Sequence, residues 1–176
     1  MASVHITRPG AGENLSYYDR YIELVSGDDA LPALRAQIGD TLRLTAGLDE
    51  PAALHRYAPG KWSIKQVIGH LSDGERVFGY RALRIARGDA TPLAGFDENV
   101  YAESGQFDAR PIADLCAEYR AVREATVFLF AGLDPERLAR TGTANGAAIS
   151  ARALGWIIAG HELHHRRLLI DRYGLR

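Results

Sequence analysis

The sequence predicts an all-α protein, a four-helix bundle with a long connection between helices 2 and 3. Apolar side chains recur at spacings of three and four residues in four separate segments, which is the pattern of helices that bury one face. The chain also has no series of alternating strands, no internal repeat and no low-complexity tract. Its 176 residues fit one domain. We expect the bundle over residues 28–176, preceded by an N-terminal extension, residues 1–27, with a short helix at 17–25.

The first two helices are predicted over about 28–46 and 63–87. Two aspartates at the start of the first segment can cap its free N–H groups. Ser63, with Gln66 three residues later, forms the capping-box pattern at the start of the second. The inward positions are Leu31, Leu34, Ile38, Leu42 and Thr45 in the first helix, and Ile64, Val67, Leu71, Gly74 and Phe78 in the second.

The third helix is predicted to begin near Pro111 and the fourth to cover about 150–173. Their inward positions are Ile112, Leu115, Tyr119, Val122, Thr126, Leu129 and Leu133 in the third, and Leu154, Ile158, His161, His165 and Leu168 in the fourth. The connection 88–110 is too long for a tight turn. Asn145-Gly146 predicts a turn, with a small hairpin, before the fourth helix.

Composition excludes several classes of protein. Lys and Arg number 21 against 22 Asp and Glu, so no basic excess suits nucleic acid, and we expect a small-molecule substrate instead. There is no apolar run of membrane-spanning length and no signal-peptide pattern at the start, so we expect a cytoplasmic protein without membrane contact. Cys116 is the single cysteine and is interpreted as a core side chain.

Histidines carry the functional signal. His161 and His165 are four residues apart, so both project from one helix face into a stripe where leucine is expected. Burying two imidazoles without partners costs roughly 1–3 kcal/mol each, and a shared cation removes that cost. Catalytic zinc sites usually take three protein ligands, and His70, beside the inner face of the second helix, is the best third donor. His5 and His55 lie in predicted loops and are weaker candidates.

Carboxylates near these histidines suggest acid–base roles. Asp73 and Glu75 follow His70 closely and are our candidate catalytic residues, since either could orient an imidazole or accept a proton. The segment 161–165 also matches H-E-x-x-H, with Glu162 as the base of a metallohydrolase. Only 11 residues follow His165, which disfavours that alternative, and we expect Glu162 at the surface.

Three segments resemble the DinB-like (DinB/YfiT) superfamily of metal-binding four-helix bundles. They are YAPGKWSIKQVIGHLSDGERVFGYRALRIARGD, GFDENVY and RTGTANGAAISARALGWIIAGHELHHRRLL, and the resemblance covers about 17–173. It implies a divalent-metal site, often zinc or nickel, held by His70, His161 and His165. It also implies a homodimer. Some members are similar to S-transferases that use a low-molecular-weight thiol such as bacillithiol or mycothiol, and others to hydrolases or isomerases.

Two interpretations of function remain open at this point. One is a metal-dependent enzyme, a thiol-dependent S-transferase or a hydrolase, in which the cation activates a thiol or water nucleophile. The alternative is a non-enzymatic, metal-stabilised binding or stress-response module. The H-E-x-x-H metallohydrolase is the less favoured third. Three imidazoles suit several metals, so the sequence alone does not identify the ion.

Overall fold

A computed structural model describes residues 4–176 of the chain. Its helices are α1 (Asp19–Ile22), α2 (Ala30–Thr45), α3 (Glu50–Ala53), α4 (Ile64–Ala86), α5 (Glu98–Ser104), α6 (Ile112–Ala131), α7 (Pro135–Ala139) and α8 (Ala151–Asp171). Two strands, β1 (Thr141–Ala144) and β2 (Ala147–Ser150), form an antiparallel hairpin. The four long helices α2, α4, α6 and α8 form the bundle, which confirms the predicted fold class.

The predicted helix starts agree with the structure because side chains cap the free N–H groups there. Asp29 accepts from the backbone N–H of Leu31 and so begins α2. Ser63 and Gln66 form the complete capping box at the start of α4. Ser150 accepts from the N–H of Ala153 and begins α8 directly after the hairpin.

Helix α8 packs against more than one of the other long helices. It packs against both α2 and α4, and these two also pack against α6. The fully buried Trp156 on α8 fills the core, and its Nε1–H donates to the carbonyl of Ile6 at 2.8 Å. That contact ties the N-terminal segment to the bundle.

The hairpin and the connection between α4 and α6 contact each other. Asn145 and Gly146 have φ values of 51° and 76°, the left-handed pair of a two-residue hairpin turn. Leu93 pairs with Ala144 at the edge of β1. Between α4 and α6 the chain forms α5, which packs on α4, and a 3₁₀ turn at Phe107–Ala109. The predicted hairpin is therefore present.

The N-terminal segment lies directly on α8. A 3₁₀ turn at Ser16–Tyr18 leads into α1, so the short predicted helix is present but ends at Ile22. Gly160 permits this contact, because a Cβ atom at that position would lie 2.0 Å from the carbonyl oxygen of Tyr21. Among residues 4–176, no helix is both long and apolar enough to cross a membrane.

Candidate metal centre

Three buried histidines from two helices converge beside this N-terminal contact. His70 lies in the first half of α4, and His161 and His165 lie one turn apart on α8. One nitrogen from each ring lies within 4.8 Å of the others, and the Nε2 atoms of His70 and His161 are 3.0 Å apart. The rings are only 6–7% exposed. The structure thus brings the three predicted ligands together.

Burial keeps these rings neutral. Desolvation lowers the pKa of His70 to about 4, with a smaller contribution from the charge of His164. Desolvation, followed by repulsion from the neighbouring histidines, also holds the pKa values of His161 and His165 well below the usual range. Neutral imidazole is the form that binds metal, so the cluster offers three competent donors at neutral pH.

Aromatic rings fix the histidines on several sides. The indole of Trp62 lies 4.6 Å from the ring of His70 and 6.4 Å from that of His165, measured between centroids. Tyr21 and Phe78 approach His161 edge-on at 5.4 and 5.9 Å. Gly74 leaves room for that ring, since a Cβ there would lie 3.2 Å from its Cε1 atom. The arrangement limits rotation of the donors.

The histidines open onto a cavity of about 390 Å³. The aromatic residues in its wall are Tyr17, Tyr18, Tyr21, Trp62, Phe78 and Phe96. The charged residues that line it are Arg20, Arg81 and Glu98, together with His164. A concave site that combines aromatic side chains with several polar and charged groups is typical of small-molecule binding.

Neither predicted catalytic carboxylate lines this cavity. Asp73 lies on another face of α4, and its carboxylate is 3.4 Å from Nη1 of Arg76. Desolvation raises the pKa of Asp73. Glu75 is 3% exposed and accepts two hydrogen bonds of 2.8 Å from Arg123 on α6. The catalytic role of Asp73 and Glu75 therefore stays a prediction, and neither side chain contacts the histidine cluster.

The expectation that Glu162 lies at the surface is wrong. Its side chain is fully buried, accepts from Thr41 Oγ1 at 2.6 Å, and pairs with Arg123 at 2.5 Å. Arg123 thus bridges Glu75 and Glu162 inside the bundle, with the Tyr119 hydroxyl also accepting from it at 3.1 Å. The charge of Arg123 is what makes burial of two carboxylates possible.

This buried Arg123 network escaped the sequence analysis although a signal was present. Arg123 lies four residues after Tyr119 and three before Thr126, on the predicted inner face of α6. A charged residue on such a face predicts a buried partner of opposite charge, and here the partners are Glu75 and Glu162.

Two other histidines and the single cysteine lie outside the three-histidine cluster. His164 is exposed at the cavity and packs edge-on against Tyr21 at 5.4 Å. Cys116 is partly buried and lies 3.3 Å from Thr45 Oγ1, and burial raises its thiol pKa. His5 lies 3.3 Å from the carboxylate of Asp29, away from the cluster.

A helical bundle with a buried three-histidine cluster facing a cavity is the class of protein that this fold and site define. The sequence profile of the DinB superfamily matches residues 33–169. The chain therefore belongs to the DinB superfamily. A comparison with curated proteins found no matching sequence.

Two solved structures share the fold. YfiT from Bacillus subtilis, described as a probable metal-dependent hydrolase with an unusual four-helix bundle topology, aligns with a TM-score of 0.70 and 16% identity, over 96% of this chain and 94% of its own. A mycothiol-dependent maleylpyruvate isomerase aligns with a TM-score of 0.67 and 14% identity, over 83% of this chain and 60% of its own. At these identities the likeness establishes the fold alone.

Proposed function

We propose that the protein binds a divalent metal through His70, His161 and His165 and is a metal-dependent enzyme that acts on a small molecule in the adjoining cavity. The observation that carries the proposal is the convergence of three buried, neutral imidazoles at the floor of an open cavity. Sites that keep a metal only for structure are usually closed by four protein ligands.

The donor set fits such an ion. Two nitrogens that are each about 2.0–2.1 Å from one tetrahedral zinc lie roughly 3.3 Å apart, and the two Nε2 atoms of His70 and His161 are 3.0 Å apart. The buried Nδ1 of His165 has no hydrogen-bond partner among the described residues. A buried nitrogen without a hydrogen-bond partner is a group that a bound cation can satisfy. Zinc or nickel is our proposal for the metal, since both accept imidazole.

The chemistry supplied by such an ion, when bound, is to lower the pKa of a thiol or water and so provide a nucleophile near neutral pH. The chain's own residues pack aromatic rings against the donors, which limits rotation of the imidazoles and places apolar surface beside the reacting region. Asp73 and Glu75 do not line the cavity, and Glu162 is occupied by Arg123 and Thr41.

We therefore favour a thiol-dependent S-transferase over a hydrolase. A thiol needs no separate base once its pKa is lowered, whereas a water nucleophile usually benefits from a nearby carboxylate. The thiol dependence in the name of the isomerase with the same fold supports the same choice by analogy. The buried position of Glu162 disfavours the H-E-x-x-H metallohydrolase, because its carboxylate is already paired.

Elemental analysis of the purified protein by inductively coupled plasma mass spectrometry tests the metal site. We expect near-stoichiometric zinc or nickel in the natural protein, and its loss in His70→Ala and in the double variant His161→Ala/His165→Ala. His55→Ala is the matched control, because that imidazole lies in a loop outside the cluster. Absence of metal after reconstitution, or equal metal content in all variants, would refute the proposal.

Activity is then measured as consumption of a fluorogenic alkyl halide in the presence of bacillithiol, mycothiol or glutathione. The rate is expected to depend on metal and on one thiol. Asp73→Asn is expected to leave the metal-dependent rate nearly unchanged, because its carboxylate does not line the cavity. A lowered rate in this variant would favour water as the nucleophile. A protein with full metal content but no rate with any electrophile would favour the non-enzymatic, metal-stabilised module.

Two further proposals concern the whole protein. A homodimer is proposed from the family resemblance, and light scattering after size-exclusion chromatography would measure the mass against the 19.3 kDa chain. A cytoplasmic location is also proposed, and cell fractionation would test it.

A further inference from the structure

We propose that Arg81 makes the cavity selective for an anionic small molecule, one whose carboxylate pairs with the Arg81 guanidinium while its apolar body lies beside the histidine cluster. The inference rests on the proposed function and deepens it, because it names the class of ligand that the same cavity takes.

Arg81 is unusual among the arginines of this bundle. It lies on α4, is only 3% exposed, and lines the cavity. Within residues 4–176, its guanidinium donates from Nη2 to the carbonyl oxygen of Ala94 at 2.7 Å, lies close to the Tyr18 hydroxyl, and forms no ion pair. The other deeply buried arginine, Arg123, has two carboxylates bound to it. The positive charge of Arg81 therefore has no anionic partner within residues 4–176.

The surroundings of Arg81 do not supply that anion. Its Cζ atom lies 5.9 Å from the ring centroid of Phe78 and 6.0 Å from that of Phe96, so aromatic faces provide only partial compensation. The Tyr18 ring packs edge-on against Phe78 at 6.0 Å, and burial raises the pKa of its hydroxyl, so this group stays neutral. Glu98 lines the same cavity but lies beyond ion-pair distance of Arg81. An Arg fork in such a setting matches a carboxylate with two parallel hydrogen bonds.

The position of Arg81 relative to the histidines limits the size of a ligand that contacts both. Phe78 lies beside both groups, since its ring centroid is 5.9 Å from that of His161 and 5.9 Å from Arg81 Cζ. A molecule held at Arg81 by a carboxylate would reach the histidine cluster across about one aromatic ring. We infer a carboxylate with a short, flat apolar body rather than a long-chain or sugar-like ligand.

Two molecules could bring the carboxylate, namely the electrophilic substrate or the thiol. Benzoate against uncharged benzamide represents the first source, and 3-mercaptopropionate against 2-mercaptoethanol represents the second. Binding of each is measured by isothermal titration calorimetry to the purified protein, with metal content determined in the same samples.

The central variant is Arg81→Gln, which removes the charge but keeps an N–H donor for Ala94. We expect at least about a tenfold loss of affinity for the carboxylate member of one or both pairs, with the uncharged member unaffected. Loss for benzoate assigns the anion to the substrate, and loss for 3-mercaptopropionate alone assigns it to the thiol. Both outcomes support recognition of a carboxylate at Arg81.

Controls separate this effect from folding and from metal binding. Arg87→Gln makes the same change at an exposed position of the same helix end and is expected to change nothing. Arg81→Lys keeps the charge and is expected to keep the preference for the carboxylate, which is decisive if Arg81→Gln melts below the assay temperature. The natural protein dialysed against a chelator is expected to lose metal but keep benzoate binding.

The proposal is overturned if Arg81→Gln binds both carboxylates as well as the natural protein does. It is also overturned if the chelated natural protein loses benzoate binding while metal-loaded Arg81→Gln retains it, because the metal would then be the anion-binding group. Failure of the proposed function is a different result, the absence of metal, and is read directly from the elemental analysis.

Discussion

Removal of Arg123 should destabilise the bundle far more than removal of any surface charge. Arg123 is 1% exposed and pairs with Glu75, which is 3% exposed, and with Glu162, which is fully buried. Arg123→Met keeps a long apolar side chain but leaves two buried carboxylates without their cation. Breaking a buried ion pair in this way typically costs about 3–5 kcal/mol.

That cost translates into a measurable melting temperature. For a chain of 150–250 residues, each kcal/mol shifts the midpoint by about 2–4 °C, so Arg123→Met should melt roughly 6–20 °C below the natural protein. Thermal unfolding followed by circular dichroism at 222 nm measures it. Both proteins are compared with and without a chelator, because bound metal adds to apparent stability.

A matched control and a rescue variant make the test specific. Arg120→Met makes the same substitution on an exposed position of α6 and should stay within about 0.5 kcal/mol of the natural protein. Arg123→Met/Glu75→Leu/Glu162→Met replaces the whole buried network by apolar groups and should recover most of the loss. The proposed role of Arg123 in compensating the two buried carboxylates is refuted if Arg123→Met has the melting temperature of the natural protein. It is also refuted if the triple variant melts no higher than Arg123→Met.

Two further predictions concern acid and the α1–α8 contact. Because the pKa of His70 is lowered to about 4 from an unfolded value of 6.5, the metal-free protein should be most stable above pH 6.5 and lose about 2 kcal/mol from this residue by pH 5. Urea unfolding in the presence of a chelator measures the free energy of unfolding at several pH values. This free energy should fall less with acid in His70→Ala than in the natural protein, and equal pH dependence in the two proteins would contradict the role given to His70. Gly160→Ala, whose new Cβ meets the carbonyl of Tyr21, should destabilise by about 1–3 kcal/mol. Gly39→Ala is the control, because only the end of the Arg43 side chain lies near its new Cβ atom, and it should be neutral or stabilise by up to about 1 kcal/mol. Similar urea midpoints for the two glycine variants would show that α1 moves away from the Gly160→Ala side chain at little cost in free energy.

Part of the site was within reach of sequence reasoning, and part was not. The shared direction of His161 and His165 follows from the helical repeat, which is a local property. The choice of His70 over His5 and His55 rested on its position beside an apolar stripe, and the structure places it 3.0 Å from His161 across 91 residues of chain. The environments of Asp73, Glu75 and Glu162 were harder to predict. The direction of a side chain around its own helix does not show which residues of the neighbouring helix lie opposite it.

The sequence by itself determined the four long helices, their capped starts and the hairpin turn, because periodic burial, side-chain caps and the left-handed conformations of Asn145 and Gly146 depend on neighbours a few residues away. Only the tertiary structure decided that Glu162 turns inward to Arg123, that Asp73 and Glu75 lie off the cavity, and that Arg81 enters it. Those outcomes depend on how α2, α4, α6 and α8 are rotated against one another and on where the N-terminal segment lies. Contacts between residues far apart in the chain set these rotations, and no local pattern encodes them.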